Sequence, residues 1–170
     1  ISPDAPHDCA MSAIGKEWFP IENIPFGATN AAKDFLSLLE HESKSFSIPF
    51  EKIVLIGFSQ GAMLALQTLL ISPQKLCSVI AYSGGLRIEN INFSENFIDN
   101  NNRHKYFNTP VLLIHGEMDE VVPFASLKIT EDLLFKIGFN VEKLSRPDLG
   151  HGIDQEGIEY GINFLKKINF

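Results

Sequence analysis

Apolar residues in this chain form short continuous runs, separated by longer segments with helical periodicity. Three of the runs are rich in β-branched and aliphatic residues and predict strands buried on both faces, at 52–58, 78–82 and 110–115. Residues 139–144 alternate weakly between apolar and polar and predict a last strand at the edge of a sheet.

Four segments predict helices, at 29–46, 60–71, 124–137 and 155–168. Thr29 or Asn30 can cap the first, and Gly138 ends the third. The second is apolar almost all round and is expected to be well buried. The residues expected to face inward from the other three are Ala31, Phe35, Leu38 and Leu39; Leu127, Leu134 and Ile137; and Ile158, Ile162 and Leu165.

The order of these segments predicts an α/β protein with a mostly parallel sheet and helices on both faces. At 170 residues the chain is expected to form a single domain over 1–170. Residues 1–28 and the asparagine-rich stretch 86–109 are interpreted as loops. The glycine pair after the second strand lacks the lysine and spacing of a phosphate loop and is interpreted as a turn.

Composition narrows the range of functions. A net charge of −7 argues against a nucleic-acid partner. Cys9 and Cys77 form no disulfide framework and are expected to be free thiols in a reducing compartment, the alternative being a single bridge between them. No cluster has metal-ligand spacing, and the apolar runs are too short to span a bilayer. The chain opens on polar, proline-broken residues rather than a signal peptide, although its first residue is not Met.

The first buried-type strand runs directly into a G-x-S-x-G motif with Ser59 at its centre, and a helix follows. In this context the serine sits on a strained strand-to-helix turn with its Oγ exposed above the sheet. Side chains at Gly57 or Gly61 are expected to crowd the close approach of strand and helix. The alternative is a small-residue turn that only packs helix against sheet.

Two further residues follow later strands of the sheet, where ligands bind in open α/β proteins. Asp119 comes after the third strand and His151 after the last, so the order Ser, Asp, His matches that of α/β-hydrolase triads. His151 would take the proton of Ser59, and Asp119 would orient the imidazole. Glu117 competes with Asp119 for the acid role. The other histidines fit the base role less well, and His115, at a strand end, is interpreted as a structural hydrogen-bonding group; the remaining three are His7, His41 and His104.

An acyl-transfer site also needs donors for an oxyanion. The backbone N–H of Gln60 is one candidate, since it follows the nucleophile at a helix N-terminus. No His-Gly loop that would supply a second donor precedes Ser59. Four apolar residues are candidates for substrate binding and can equally be packing residues: Trp18, Phe19, Met118 and Val122.

Four stretches resemble motifs of the phospholipase/carboxylesterase family of small α/β hydrolases, which includes the acyl-protein thioesterases. They are Ser-Pro-Asp-Ala-Pro at 2–6 leading to Trp-Phe at 18–19, Gly-Phe-Ser-Gln-Gly at 57–61, His-Gly-Glu-Met-Asp-Glu-Val-Val-Pro at 115–123, and Gly-His-Gly-Ile at 150–153. One departure is Pro20, where the family usually has Asp after Trp-Phe.

The resemblance implies an α/β-hydrolase fold with Ser59, Asp119 and His151 as the triad and Gln60 as an oxyanion donor. It also implies cofactor-free hydrolysis of carboxylic esters or thioesters, with a cytoplasmic location and dimers common. The family's first strand and its H-G-x-G-type loop have no counterpart here, so either such residues lie upstream of Ile1 or the fold is N-terminally truncated, which is the expectation adopted for the fold. A homodimer that covers the resulting sheet edge is therefore a hypothesis. The rival functions are a catalytically impaired binding protein and, less favoured, a small serine peptidase or lactonase.

Overall fold

A computed structural model of the protein describes residues 1–10, 12–24, 26–86, 105–106 and 108–169. Most of the asparagine-rich stretch 86–109 lies outside these ranges, so the loop prediction there stays a prediction. The main elements are α1 (Phe26–Phe46), β3 (Val54–Phe58), α2 (Gln60–Ile71), β4 (Ser78–Tyr82), β5 (Val111–Gly116), α3 (Ala125–Ile137), β6 (Val141–Arg146) and α4 (Gln155–Lys167), preceded by two short strands, β1 (His7–Asp8) and β2 (Lys16–Glu17).

The four later strands form one parallel sheet in the order β3-β4-β5-β6. The parallel sheet and the edge position of the last strand are therefore confirmed. Because all four strands run the same way, their carboxyl ends meet at one side of the sheet. Phe58 pairs with Tyr82 there, and Gly116 pairs with Arg146.

Helices cover both faces of the sheet, as predicted. On one face, α2 and α3 pack onto β3, β4 and β5 through a cluster that includes Leu55, Val79, Leu66 and Leu134. On the other face, Phe164 of α4 lies in a second cluster with the strands. The residues from Ala62 to Leu70 are all buried, which confirms the burial predicted for the second helix.

The inward face predicted for α4 was wrong at two of its three positions. Ile158 and Ile162 are 43% and 47% exposed, whereas Gly157, Gly161 and Phe164 are buried. A Cβ atom at Gly161 would lie 2.6 Å from the Tyr82 hydroxyl. The helix therefore approaches the sheet through its glycines, and hydrophobicity alone does not reveal that face.

The start of α1 differs from the prediction, because the helix begins at Phe26 rather than at Thr29. Thr29 is accordingly inside the helix and does not cap it. Its Oγ1 accepts a hydrogen bond of 3.2 Å from Gln67 Nε2, which joins α1 to α2. This tertiary partner explains the polar side chain at Thr29 better than a cap does.

The segment 1–28, predicted as loop, contains some regular structure. β1 and β2 form an antiparallel hairpin, and Ile21–Asn23 forms one turn of 3₁₀ helix. Each is only two or three residues long, too short to leave a periodic pattern in the sequence.

β3 lies at the edge of the sheet, and no strand within the described ranges pairs with its outer side. Ile56 is 61% exposed and Phe58 is 38% exposed. Both lie on the same face of the sheet as α4, which covers that face over β4 and β5.

Among the helices of the described ranges, none has the length and apolar character needed to cross a membrane.

Candidate active site

Ser59 occupies a strained turn between β3 and α2. Its backbone has φ 53° and ψ −119°, a conformation that side-chain-bearing residues rarely adopt. The turn is tight because a Cβ at Gly57 would lie 2.2 Å from the carbonyl oxygen of Gly61. Glycine at position 57 is therefore required by the close approach of strand and helix.

The expected crowding at Gly61 was wrong. A Cβ atom there would meet nothing within 4 Å in the part of the chain that the structure describes. Gly61 faces an apolar groove beside β3, whereas Gly57 faces the backbone of α2. The two glycines of the motif therefore differ in their structural roles.

The structure brings together the three side chains predicted from the sequence. His151 Nε2 lies 3.0 Å from Ser59 Oγ, and His151 Nδ1 lies 2.9 Å from Asp119 Oδ2. In the sequence, His151 lies 32 residues after Asp119 and 92 residues after Ser59. These are the distances of a serine, a base and an acid connected by hydrogen bonds.

Asp119 is the carboxylate in contact with His151, and Glu117 is exposed. The Asp119 side chain is fully buried, which by itself raises its pKa. The hydrogen bonds from His151 and from the N–H groups of Val122 and Val121 outweigh that effect, so the pKa of Asp119 lies below its usual value. The acid is therefore ionised at neutral pH.

The turn that carries His151 is fastened to the acid loop by its backbone. The N–H of Met118 donates to Leu149 O at 3.0 Å, and a Cβ at Gly116 would lie 2.2 Å from the same oxygen. The hydroxyl of Ser83 donates to Gly152 O at 3.2 Å. These contacts hold the base over the carboxyl ends of the strands.

Behind this turn, Arg146 and Asp154 connect the end of β6 to the start of α4. Arg146 Nε donates to Asp154 Oδ2 at 2.8 Å, and Asp154 Oδ1 accepts from the N–H of Gly157. Burial alone would raise the pKa of Asp154, but these two bonds lower it overall. The ion pair and the helix cap thus limit the movement of the residues that flank His151.

Gln60 belongs to the first turn of α2, whose backbone N–H groups have no acceptor within the helix. Its side chain makes a contact that the sequence did not predict. Gln60 Oε1 accepts from the N–H of Trp18 at 3.0 Å, and Nε2 donates to Phe19 O at 2.9 Å. Partners 41 and 42 residues apart leave no local sequence signal, which is why sequence reasoning missed this link.

The four candidate substrate-binding residues have different surroundings. Phe19 and Val122 are buried together in a cluster with Met63 and Ala28. Trp18 is half-buried and makes an edge-to-face contact with Phe35, at 5.6 Å between ring centroids. Met118 is 63% exposed beside the acid loop.

Phe58 makes an aromatic contact with His151. Its ring centroid lies 4.9 Å from that of His151, with the planes tilted by 40°. Within the described ranges, no group of three or more His, Cys, Asp or Glu residues could hold a metal ion. The site contains a serine hydroxyl hydrogen-bonded to the half-buried imidazole of His151, which in turn contacts the buried carboxylate of Asp119.

A parallel sheet with a serine turn after one strand, an acid after another and a histidine after the last defines an α/β hydrolase. The chain matches the phospholipase/carboxylesterase family over residues 1–169. It belongs to that family.

Several relatives and solved structures agree with this assignment. The acyl-protein thioesterase 1 homolog 1 of Dictyostelium discoideum is 34% identical over an alignment 178 positions long that covers 98% of this chain and 75% of that protein. Acyl-protein thioesterase 1 of Candida albicans is 33% identical over 144 residues, covering 84% of this chain and 60% of that protein. The crystal structure of esterase PE8 superposes with a TM-score of 0.80 at 30% identity, covering 98% and 76% of the two chains.

This chain is shorter than these relatives. Its match spans 60% of the length of the Candida albicans protein and 59% of a probable carboxylesterase of Oryza sativa subsp. japonica. It spans 75% of the Dictyostelium discoideum protein. The relatives therefore contain residues that have no counterpart in the sequence described above.

Proposed function

We propose that this protein is a serine hydrolase that cleaves carboxylic esters or thioesters through an acyl-enzyme on Ser59. The observation that supports this most strongly is the continuous hydrogen-bonded connection from Ser59 Oγ through His151 to the buried Asp119. The names of its relatives, acyl-protein thioesterase and carboxylesterase, support the same class of reaction.

In the proposed reaction, Ser59 Oγ forms a bond to the acyl carbon while its proton passes to His151 Nε2. Asp119 accepts the Nδ1–H bond of His151 and stabilises the imidazolium that results. Breakdown of the tetrahedral intermediate transfers that proton to the departing alcohol or thiol. Water then attacks the acyl-enzyme with His151 again acting as base, which releases the carboxylic acid and restores Ser59.

The Gln60 N–H is the donor that we assign to the oxyanion of the intermediate, because it is the first N–H of α2 and follows the nucleophile directly. Removing one of two such donors costs about 10²–10³ in rate. The turnover rate of this chain will therefore indicate whether a second donor accompanies Gln60. The four residues Trp18, Phe19, Met118 and Val122 are our candidates for shaping the acyl site.

A cytoplasmic location is part of the same proposal. Cys9 and Cys77 are both free thiols in the structure, and unpaired cysteines are typical of proteins in reducing compartments. Partial burial raises the pKa of the Cys77 thiol, so at neutral pH this residue is largely uncharged and weakly reactive.

The experiment that tests the function is covalent labelling with a fluorophosphonate, followed by mass spectrometry of the tryptic peptides. Phosphonates react with serines that an adjacent base activates, so we expect one label per chain, on Ser59. Heat-denatured protein is the control, because it retains every serine without the hydrogen-bonded arrangement. Absence of a label on the folded protein would contradict the hydrolase proposal and favour a binding protein with an inactive site.

We further propose that two copies pair through the outer edge of β3. An edge strand exposes unpaired N–H and C=O groups, and here it also exposes the apolar side chain of Ile56. In antiparallel pairing centred on Ile56, Val54 would lie opposite the partner's Phe58. Sedimentation equilibrium should give a dimer, and Ile56→Lys should give a monomer, since it places like charges opposite each other. A folded monomer for the unmodified chain would exclude this dimer.

A further inference from the structure

His115 lies at the carboxyl end of β5 and is almost completely buried, with 1% of its surface exposed. Its Nε2 is 2.9 Å from the carbonyl oxygen of Val122 and 3.2 Å from Asp119 Oδ2. His115 therefore contacts the loop that carries the acid at two points. This arrangement goes beyond the interpretation of His115 as a general structural hydrogen-bonding group.

These neighbours define which nitrogen of His115 carries a proton. A backbone carbonyl only accepts hydrogen bonds, so Nε2 must be the protonated nitrogen that donates to Val122 O. Its hydrogen then points at the carbonyl while the carboxylate of Asp119 lies beside it. The positive end of this N–H dipole is thus adjacent to the oxygen that His151 also contacts.

The two carboxylate oxygens of Asp119 have different partners. Oδ1 accepts the N–H groups of Val121 and Val122 at 2.9 and 2.8 Å. Oδ2 faces the two imidazoles, with His151 Nδ1 at 2.9 Å and His115 Nε2 at 3.2 Å. Val122 is held at both its N–H and its carbonyl, so the loop is closed onto the end of β5 through His115.

We propose that His115 is a positioning residue of the triad, which holds the acid loop through Val122 and keeps Oδ2 of Asp119 directed at His151. Its role rests on the proposed function, because it matters for turnover only if Asp119 and His151 take part in catalysis. The titratable groups that contact Asp119 among the described residues are His115 and His151, and Glu117 and Glu120 of the same loop are exposed.

The test compares His115→Leu, which has no donor, with His115→Gln, whose amide N–H can replace Nε2–H. We expect kcat to fall about tenfold in His115→Leu with KM changed less than about twofold, a loss comparable to that of one buried hydrogen bond. His115→Gln should recover most of it. Without the second donor beside it, Asp119 Oδ2 should accept a stronger hydrogen bond from His151 Nδ1–H, so the NMR resonance of that proton should move downfield in His115→Leu and stay near its unmodified position in His115→Gln.

Thr109→Val is the matched control, since Thr109 is also buried and hydrogen-bonded to a backbone carbonyl, but at the opposite end of β5. It should lower the melting temperature without moving the His151 Nδ1–H resonance. An unchanged His151 Nδ1–H resonance in His115→Leu, or equal changes in the Leu and Gln variants, would refute the positioning role. If His115→Leu does not fold, His115→Asn replaces it, because its shorter amide does not reach Val122.

The NMR measurement needs no substrate, which separates the two hypotheses. A protein that neither turns over esters nor labels at Ser59 would refute the proposed function. The dependence of the His151 Nδ1–H resonance on His115 would still be measured in that protein.

Discussion

Ser59→Ala should lower kcat/KM for p-nitrophenyl butyrate by about 10⁴-fold or more, because it removes the hydroxyl on which we propose that the acyl-enzyme forms. In the proposed reaction, the contact between Ser59 Oγ and His151 Nε2 is the one that activates the serine. Without it, any remaining rate comes from binding and oxyanion stabilisation alone. The measurement is the initial rate of p-nitrophenol release from acetate and butyrate esters.

Ser47→Ala is the matched control for this variant. Ser47 has φ 54°, close to the 53° of Ser59, but it is exposed after the end of α1. Both substitutions therefore remove a hydroxyl from a residue with positive φ. Full activity in Ser47→Ala and an unchanged melting temperature in Ser59→Ala would assign the loss to chemistry, whereas equal rates in the unmodified chain and Ser59→Ala would exclude Ser59 as nucleophile.

Asp119→Asn should lower kcat by about 10⁴-fold while the protein stays folded. The asparagine oxygen can still accept from Val121 and Val122, which leaves the amide NH₂ facing His151. His151 Nδ1 must then act as an acceptor, and the proton moves to Nε2, where it blocks uptake of the Ser59 proton. The rate of ester cleavage at saturating substrate measures this effect.

The control for the acid is Glu117→Gln, which neutralises an exposed carboxylate of the same loop and should keep nearly full activity. A loss of similar size in both variants would mean that net charge, and not the contact with His151, is responsible. The pKa of Asp119 is lowered, so its ionised form adds stability at neutral pH. That stability is lost only as the pH falls through the lowered pKa, and Asp119→Asn should remove this part of the acid-unfolding curve.

Local sequence accounted for much of the fold. The strand and helix around Ser59 were predicted to within two residues at every boundary, since a continuous apolar run, a glycine-flanked turn and an apolar helix each follow from adjacent residues. Gly138 ends α3 in the left-handed conformation expected of a terminating glycine. Order along the chain also singled out Asp119 and His151, because parallel strands bring their following loops to the same side of the sheet.

Local sequence patterns did not predict the contacts between segments that are distant in the chain. Hydrophobicity pointed to Ile158 and Ile162 as the inner face of α4, but Gly157 and Gly161 pack there because Tyr82 requires a close approach. The crowding expected at Gly61 does not occur, since that glycine faces a groove instead of backbone. Likewise, nothing adjacent in sequence indicates that the Gln60 side chain holds the backbone of residues 18 and 19.

The sequence by itself determined the α/β arrangement and the strained serine turn, and it singled out candidates for nucleophile, base and acid, because these depend on short-range patterns and chain order. Only the tertiary structure decided that Asp119 and not Glu117 contacts His151, and that His115 lies beside the acid. The physical reason is that a hydrogen bond is sensitive to changes of about a few tenths of an ångström in the distance between donor and acceptor. Such distances are set by how β5, β6 and their loops pack together.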